Sequence, residues 1–151
     1  MLMPGPGDPG ASPALPRPAL PRSLTRAVRE VAPSAIFASS PCRIRCHAHD
    51  VVLFREDLAV RMRSACVRPP ADGASGDDAA PPGERLFAHL TATLLQQSHL
   101  APLPLPHAPV HWAHDHALWL YPAPHALLLA DRTAPQAAAP FEDTVCFNPV
   151  R

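Results

Sequence analysis

The sequence lacks an excess of charge of either sign, because thirteen basic side chains are matched by thirteen acidic ones over 151 residues. Domains that bind nucleic acid tightly usually show a basic excess or a basic stripe. We therefore expect any contact with DNA to be weak or indirect. The sequence also lacks an apolar run of the roughly 18 residues that a membrane-spanning helix requires, so we expect no membrane partner.

Two further absences concern the N-terminus and the cysteines. The N-terminus has no basic region followed by an apolar run, which a secretory signal would need. The four cysteines lack the paired C-x-x-C spacing of zinc sites. They are Cys42, Cys46, Cys66 and Cys146. We expect buried free thiols in a reducing intracellular compartment.

Motifs of the common catalytic sites are missing as well. There is no G-x-S-x-G serine and no Walker loop. No pair among the carboxylates Asp8, Glu56, Asp57 and Asp131 has a spacing that identifies an acid/base couple. Glu56 and Asp57 fit exposed positions in the first turn of a helix, where the helix dipole favours negative charge.

Proline and apolar side chains are what the sequence has in quantity, with 22 prolines and 47% hydrophobic residues. The length suits one domain on the prior of about 100–200 residues per domain. Residues 1–22 are rich in proline and are predicted to be extended, because proline fixes one backbone dihedral and removes a hydrogen-bond donor.

Hydrophobic periodicity predicts helices and strands in alternation, which is typical of an α/β fold. The first predicted helix covers residues 23–31, is capped by Ser23, and has Leu24, Val28 and Val31 on one face. The next predicted elements are a short buried strand at 35–37, a half-buried strand at 42–46, a strand at 51–54 and a helix from about Glu56. A flexible insertion at 69–83 follows, and then a helix at 84–97 with Phe87, Leu90 and Leu94 in the core. The remaining predicted elements are an extended loop from 101, a hairpin from Leu118 to Ala130 with its turn at 122–124, and a last strand at 144–147.

Two groups of side chains could carry chemistry but have simpler explanations. The histidines His107, His111, His114, His116 and His125 resemble what a zinc or nickel site uses, yet the flanking prolines leave no regular element to hold them. Their role stays open, with adventitious metal binding as the alternative. The arginines suit a solvated helix face, with an acidic partner or DNA as the alternative; they are Arg43, Arg45, Arg55, Arg61, Arg63 and Arg68.

The first ten residues contain a loop, MPGPGD at residues 3–8, which resembles the V-P-G-N-H-D metal loop of calcineurin-like phosphoesterases. The Pro-Gly turn and Asp8 are kept. Pro6 stands where the loop has Asn, and Gly7 where it has His. Neither residue has a side chain that can bind a metal.

Further motifs follow in the order found in the B subunits of DNA polymerase epsilon, a family of replicative accessory subunits. IFASSPCRI at 36–44, FREDL at 54–58 and QSHLAPLPL at 97–105 are similar to motifs of that family. The resemblance covers nearly the whole chain except about residues 69–83. The matched motif positions are Pro4, Gly5, Asp8, Pro9, Gly10, Pro41, Cys42, Arg43, His99, Pro102, Trp112, Asp115, Tyr121, Pro122 and Asp131.

A second phosphoesterase loop, G-H-x-H, corresponds here to residues 98–101, where Ser98 and His99 are followed by Ala101 in place of the second histidine. Two-metal catalysis needs both ions held about 3.5–4 Å apart, so the loss of ligands at two loops is expected to empty the site. We interpret His99 as a hydrogen-bonded structural residue, with a residual metal ligand as the alternative. Trp112 is interpreted as a core aromatic, and Asp115 as a carboxylate that binds backbone donors.

The resemblance implies a non-catalytic scaffold subunit in the nucleus, without cofactors. It implies an α/β fold that is the C-terminal part of a calcineurin-like phosphoesterase domain, spanning 1–151, with the rest of that domain and an OB-fold domain upstream. The implied partners are the C-terminal zinc-binding region of the catalytic subunit, other epsilon subunits and the replicative helicase. The alternatives are a metal-dependent phosphoesterase with residual activity and an unfolded proline-rich interaction segment.

Overall fold

The computed structural model describes residues 1–67 and 82–149. Within these residues no helix combines the length and apolar character that crossing a membrane requires. The elements are α1 (Arg22–Val31), β1 (Cys42–Cys46), β2 (His49–Phe54), α2 (Leu58–Ser64), α3 (Pro82–Gln96), a 3-10 helix (Trp112–Leu118), β3 (Ala126–Leu129), β4 (Ala137–Phe141) and β5 (Thr144–Asn148).

The five strands form one mixed sheet in the order β1-β2-β3-β5-β4. β2 and β3 are parallel, as are β3 and β5, while the edge strands β1 and β4 are antiparallel to their neighbours. Helix α3 lies against β4. The arrangement confirms the predicted α/β class.

One face of the sheet forms the core. Val52, Phe54, Leu127, Leu129 and Cys146 alternate along β2, β3 and β5, and all are buried. They belong to one cluster with the apolar side of α3, as the sequence predicts; its members there are Phe87, Leu90 and Leu94. Burial also raises the pKa of the Cys146 thiol to about 12, so this cysteine is an unreactive core residue. The prediction of buried thiols is wrong for Cys46 and Cys66, which are exposed.

The opposite face of the sheet is apolar but not buried. Paired residues form two rows across the five strands, and no member of either row is buried. Val145 in the second row is 51% exposed. The first row contains Cys42, Leu53, Leu128, Phe147 and Ala138, and the second contains Ile44, Val51, Ala126, Val145 and Pro140.

We predict that the 151-residue chain alone is poorly soluble, because water-exposed apolar faces and unpaired edge strands promote association. Val145→Lys places a charge in the middle of the face and is expected to raise the soluble fraction measured by centrifugation and light scattering. Val31→Lys adds the same charge on α1, at a side chain that is 88% exposed, and is expected to help less. A wild-type chain that stays fully soluble and monodisperse would contradict the prediction.

Three predictions about the first half of the chain are wrong. Pro21, not Ser23, is the N-cap of α1, and Thr25 is its buried residue, so the predicted apolar face lies toward solvent. Residues 35–37 form no strand; Phe37 makes an isolated bridge to Leu2, and Ile36 is 64% exposed. The strand at 42–46 exists, but it is an exposed edge rather than half-buried.

The second half contains one wrong prediction and one omission. There is no hairpin from 118 to 130, because β3 pairs with β2 and β5 in parallel while Leu120 bonds back to Ser98. Strand β4 was not predicted, since its sequence AAAPF carries little strand signal. Helix α3 and strand β5 confirm the sequence prediction. Most of the predicted insertion at 69–83 lies outside the described residues, and residues 82–83 begin α3.

Candidate functional site

The loop at residues 3–8 is closed around an arginine. Asp8 Oδ2 accepts hydrogen bonds from the Gly5 backbone N–H at 2.8 Å and from Arg55 Nη1 at 2.7 Å. The same Arg55 nitrogen donates to the Met3 carbonyl at 2.9 Å. The guanidinium therefore occupies the interior of the loop and neutralises its only carboxylate.

The glycine in the Pro-Gly turn leaves the space that the Arg55 guanidinium fills. A Cβ added to Gly5 would lie 2.6 Å from Arg55 Cζ, so the guanidinium would have to move away. Gly10 has a φ of 75°, in the left-handed region that glycine adopts without strain. Pro6 and Gly7 add no side chain able to bind a metal, so the polar chemistry of the loop is that of the ion pair between Asp8 and Arg55.

The second loop follows α3 and fixes the ring of His99. Ser98 has a φ of 51°, and the backbone N–H of Ala101 donates to His99 Nδ1 at 3.0 Å. Because a backbone N–H can only donate, Nδ1 carries no proton. The other ring nitrogen, Nε2, therefore carries it and lies 3.2 Å from Asp115 Oδ1. Both nitrogens of His99 are engaged by internal partners.

Asp115 extends this arrangement to the surface. Its Oδ2 accepts the indole N–H of Trp119 at 2.8 Å. The hydrogen bond from Trp119 is the main reason that the pKa of Asp115 is lowered. Partial burial opposes this effect, and the hydrogen bond with His99 adds a smaller lowering. The prediction that Asp115 binds backbone donors is therefore wrong, since its partners are side chains. The prediction that Trp112 is a core aromatic is also wrong, because it is 69% exposed.

Asp131 is fully buried and organises the start of α2. Its Oδ2 accepts the Ala59 N–H at 2.7 Å, and its Oδ1 accepts the N–H and hydroxyl of Thr133 at 2.7 and 2.6 Å. Asn148 at the end of β5 donates to the Asp131 carbonyl at 2.9 Å. The free N–H groups at the beginning of α2 are thus satisfied by the loop after β3 rather than by a local cap.

The sequence pattern indicated that Glu56 and Asp57 are exposed helix residues. This prediction is wrong, because neither side chain is exposed. Glu56 has a fully buried side chain, paired with the buried Arg17 and with Arg61, whose Nη2 lies 3.0 Å from it. Asp57 pairs with Arg132 at 2.8 Å. Sequence reasoning missed this buried ionic cluster because its members come from distant segments. A single sequence shows which residues are close along the chain, not which ones meet in the fold.

The predicted arginine face is spread over several elements. Arg43 and Arg45 lie on β1, Arg55 lies in the loop after β2, and only Arg61 and Arg63 lie on α2. Arg45 makes a bidentate contact with Asp50 at 2.7 and 2.9 Å. Arg68 lies outside the described residues. The group is thus mostly a set of structural ion pairs rather than one solvated helix face.

The predicted histidine cluster is not assembled into a metal site in the described part of the chain. His114 and His116 have ring centroids 6.3 Å apart, while His125 lies against His49 and accepts the Asp50 N–H through Nδ1 at 3.0 Å. No three histidine, cysteine or acidic side chains come together as metal ligands among residues 1–67 and 82–149.

The remaining motif positions support the turns around these loops. Pro41 follows Ser40, which is buried and pairs with Arg17 through two backbone hydrogen bonds. Arg43 lies within 3.4 Å of the carbonyl oxygens of Trp119 and Pro122. Pro4 lies in the first loop, and Pro9 and Pro102 directly follow the first and the second loop.

The carboxylates predict how stability changes with pH. The hydrogen bond from Arg45 lowers the pKa of Asp50. Partial burial acts to raise the pKa of Asp57, but hydrogen bonds from Arg132 outweigh it and the pKa is lowered. A lowered pKa stabilises the fold above the unfolded value of about 3.9, and this stabilisation is lost as the pH falls through the folded values.

We therefore expect the midpoint of denaturant unfolding to be constant from about pH 7 to pH 5 and to fall steeply below about pH 4. Asp57→Asn should make the acidic decline shallower, because one of the linked carboxylates is gone. Asp143→Asn changes an exposed turn residue and should leave the decline unaltered. Unfolding midpoints measured at half-unit intervals test this, and an increase of stability on acidification would contradict it.

Most of the chain, with the two loops just described, matches a known family. Residues 1–138 match the model for the B subunits of the DNA polymerases alpha and epsilon. Because the match spans well over half of the sequence, the chain belongs to this family of polymerase B subunits.

Three relatives indicate which polymerase B subunits the chain resembles, namely those of DNA polymerase epsilon. The chain is 44% identical over 149 residues to the B subunit of DNA polymerase epsilon from Arabidopsis thaliana. It is 40% identical over 149 residues to DNA polymerase epsilon subunit 2 of Mus musculus and of Homo sapiens. Each alignment covers 99% of this chain, which confirms the resemblance that the motifs indicated. The chain spans about a quarter of each relative, 27% of the plant protein and 26% of the mammalian ones.

Proposed function

We propose that this chain acts as a non-catalytic accessory subunit of DNA polymerase epsilon in nuclear DNA replication, where it binds the C-terminal zinc-binding region of the catalytic subunit. Other epsilon subunits and the replicative helicase are the further partners. Contact with DNA is weak or indirect, in keeping with the balanced charge. In this account the fold is the C-terminal part of an inactive calcineurin-like phosphoesterase domain.

One observation carries the non-catalytic part of the proposal. The side chains that a phosphoesterase would direct at its metals are here occupied by the protein itself. Asp8 pairs with Arg55, and both ring nitrogens of His99 are hydrogen-bonded. A metal ion at either loop would first have to displace these internal partners. Because two or more of the usual ligands are missing, the ion would be bound too weakly to do so.

Co-expression with the catalytic subunit tests the binding proposal. We expect the chain to elute from a size-exclusion column as a stoichiometric complex with the C-terminal region of the epsilon catalytic subunit. The corresponding region of the alpha catalytic subunit is the matched control and is expected to elute separately. Separate elution of the chain and the epsilon region would contradict the proposal.

The rival function is a residual metal-dependent phosphoesterase, and it has its own test. We expect the purified complex to hydrolyse bis-p-nitrophenyl phosphate in the presence of Mn²⁺ no faster than a buffer control. The His99→Ala variant should give the same background rate. Hydrolysis that requires Mn²⁺ and disappears in H99A would establish the rival instead.

A further inference from the structure

We draw no further inference here: the strongest candidate, the exposed aromatic patch of Trp119 and Tyr121 that follows the 3-10 helix, carries none, because the chain spans about a quarter of the length of its relatives and nothing in the structure shows what covers this patch.

Discussion

Glu56→Gln is expected to lower the free energy of unfolding by about 3–5 kcal/mol, the cost of breaking a buried ion pair by removing one partner. The Glu56 side chain is fully buried, and the Arg17 side chain beside it is 1% exposed. Glutamine keeps the shape but not the charge, so the Arg17 guanidinium would stay buried without a counter-ion. Arg61, which bonds the His107 carbonyl at 3.4 Å, would lose its carboxylate as well.

The ion cluster also explains why the effect should be large in this fold. Arg17 Nε donates to the Ser12 carbonyl at 2.9 Å, so Glu56 joins the proline-rich N-terminal segment to the start of α2. Through Arg61 it also reaches the loop that follows α3. Loss of the carboxylate therefore removes one group that contacts all three segments.

Chemical denaturation, with the unfolding free energy extrapolated to water, measures this effect. Glu30→Gln is the matched control, because Glu30 forms an exposed pair with Arg26 on α1 and should change stability by less than about 0.5 kcal/mol. The double variant R17M/E56L should recover most of the loss, since apolar replacements of buried ion pairs are often neutral. A loss below about 1 kcal/mol for E56Q would contradict the account of Glu56 as a buried counter-ion.

Asp131→Asn is expected to be the second most disruptive change, with a loss of about 2–4 kcal/mol. One carboxylate oxygen accepts the Ala59 N–H and the other accepts the Thr133 N–H and hydroxyl. An amide has only one acceptor oxygen, so at least one buried N–H would face another donor. Hydrogen bonds to charged groups contribute about 1.5–3 kcal/mol each.

Native-state hydrogen exchange reports this loss at the affected site. Protection of the Ala59 amide should fall with the global stability in D131N, because α2 loses the group that caps it. Asp143→Asn, in the exposed turn between β4 and β5, is the matched control and should leave both stability and exchange unchanged. Unchanged protection at Ala59 in D131N would show that Asp131 does not hold the helix.

Local patterns were enough to predict the elements whose periodicity is strong. Helix α3 carries Phe87, Leu90 and Leu94 at helical spacing, and β2 and β5 carry β-branched and apolar residues in short runs. The strand order was not predictable, because parallel pairing of β3 with β2 and β5 depends on contacts between residues about 20 to 75 positions apart.

The loop chemistry was predicted only in part. Motifs indicated that the loops of Asp8 and His99 have lost metal ligands, and the structure shows which residues Asp8 and His99 contact. The partner of Asp8 is 47 residues away, and the partner of His99 lies 16 residues away. A single sequence gives no signal that pairs Arg55 with Asp8 or Asp115 with His99, because hydrogen-bond partners are chosen by the folded geometry.

The exposure of Trp112 was mispredicted, and the exposure of the apolar face of α1 was not predicted, for a related physical reason. An apolar stripe on a helix shows that the residues favour burial, but it does not show that the chain itself supplies the covering surface. Leu24 and Val31 are 52% and 88% exposed. Periodicity therefore predicts which side of an element is apolar and leaves open what covers it.

The central claim is that the two phosphoesterase-like loops are structural, with the ring nitrogens of His99 both occupied. Nitrogen NMR of the histidine side chains in the soluble complex, recorded during a titration with Mn²⁺, tests it most directly. The account predicts that His99 is a neutral ring protonated on Nε2 and that Mn²⁺ broadens it no more than the exposed His47. Selective broadening of His99 at substoichiometric Mn²⁺ would show that the loop still binds metal and would contradict the claim.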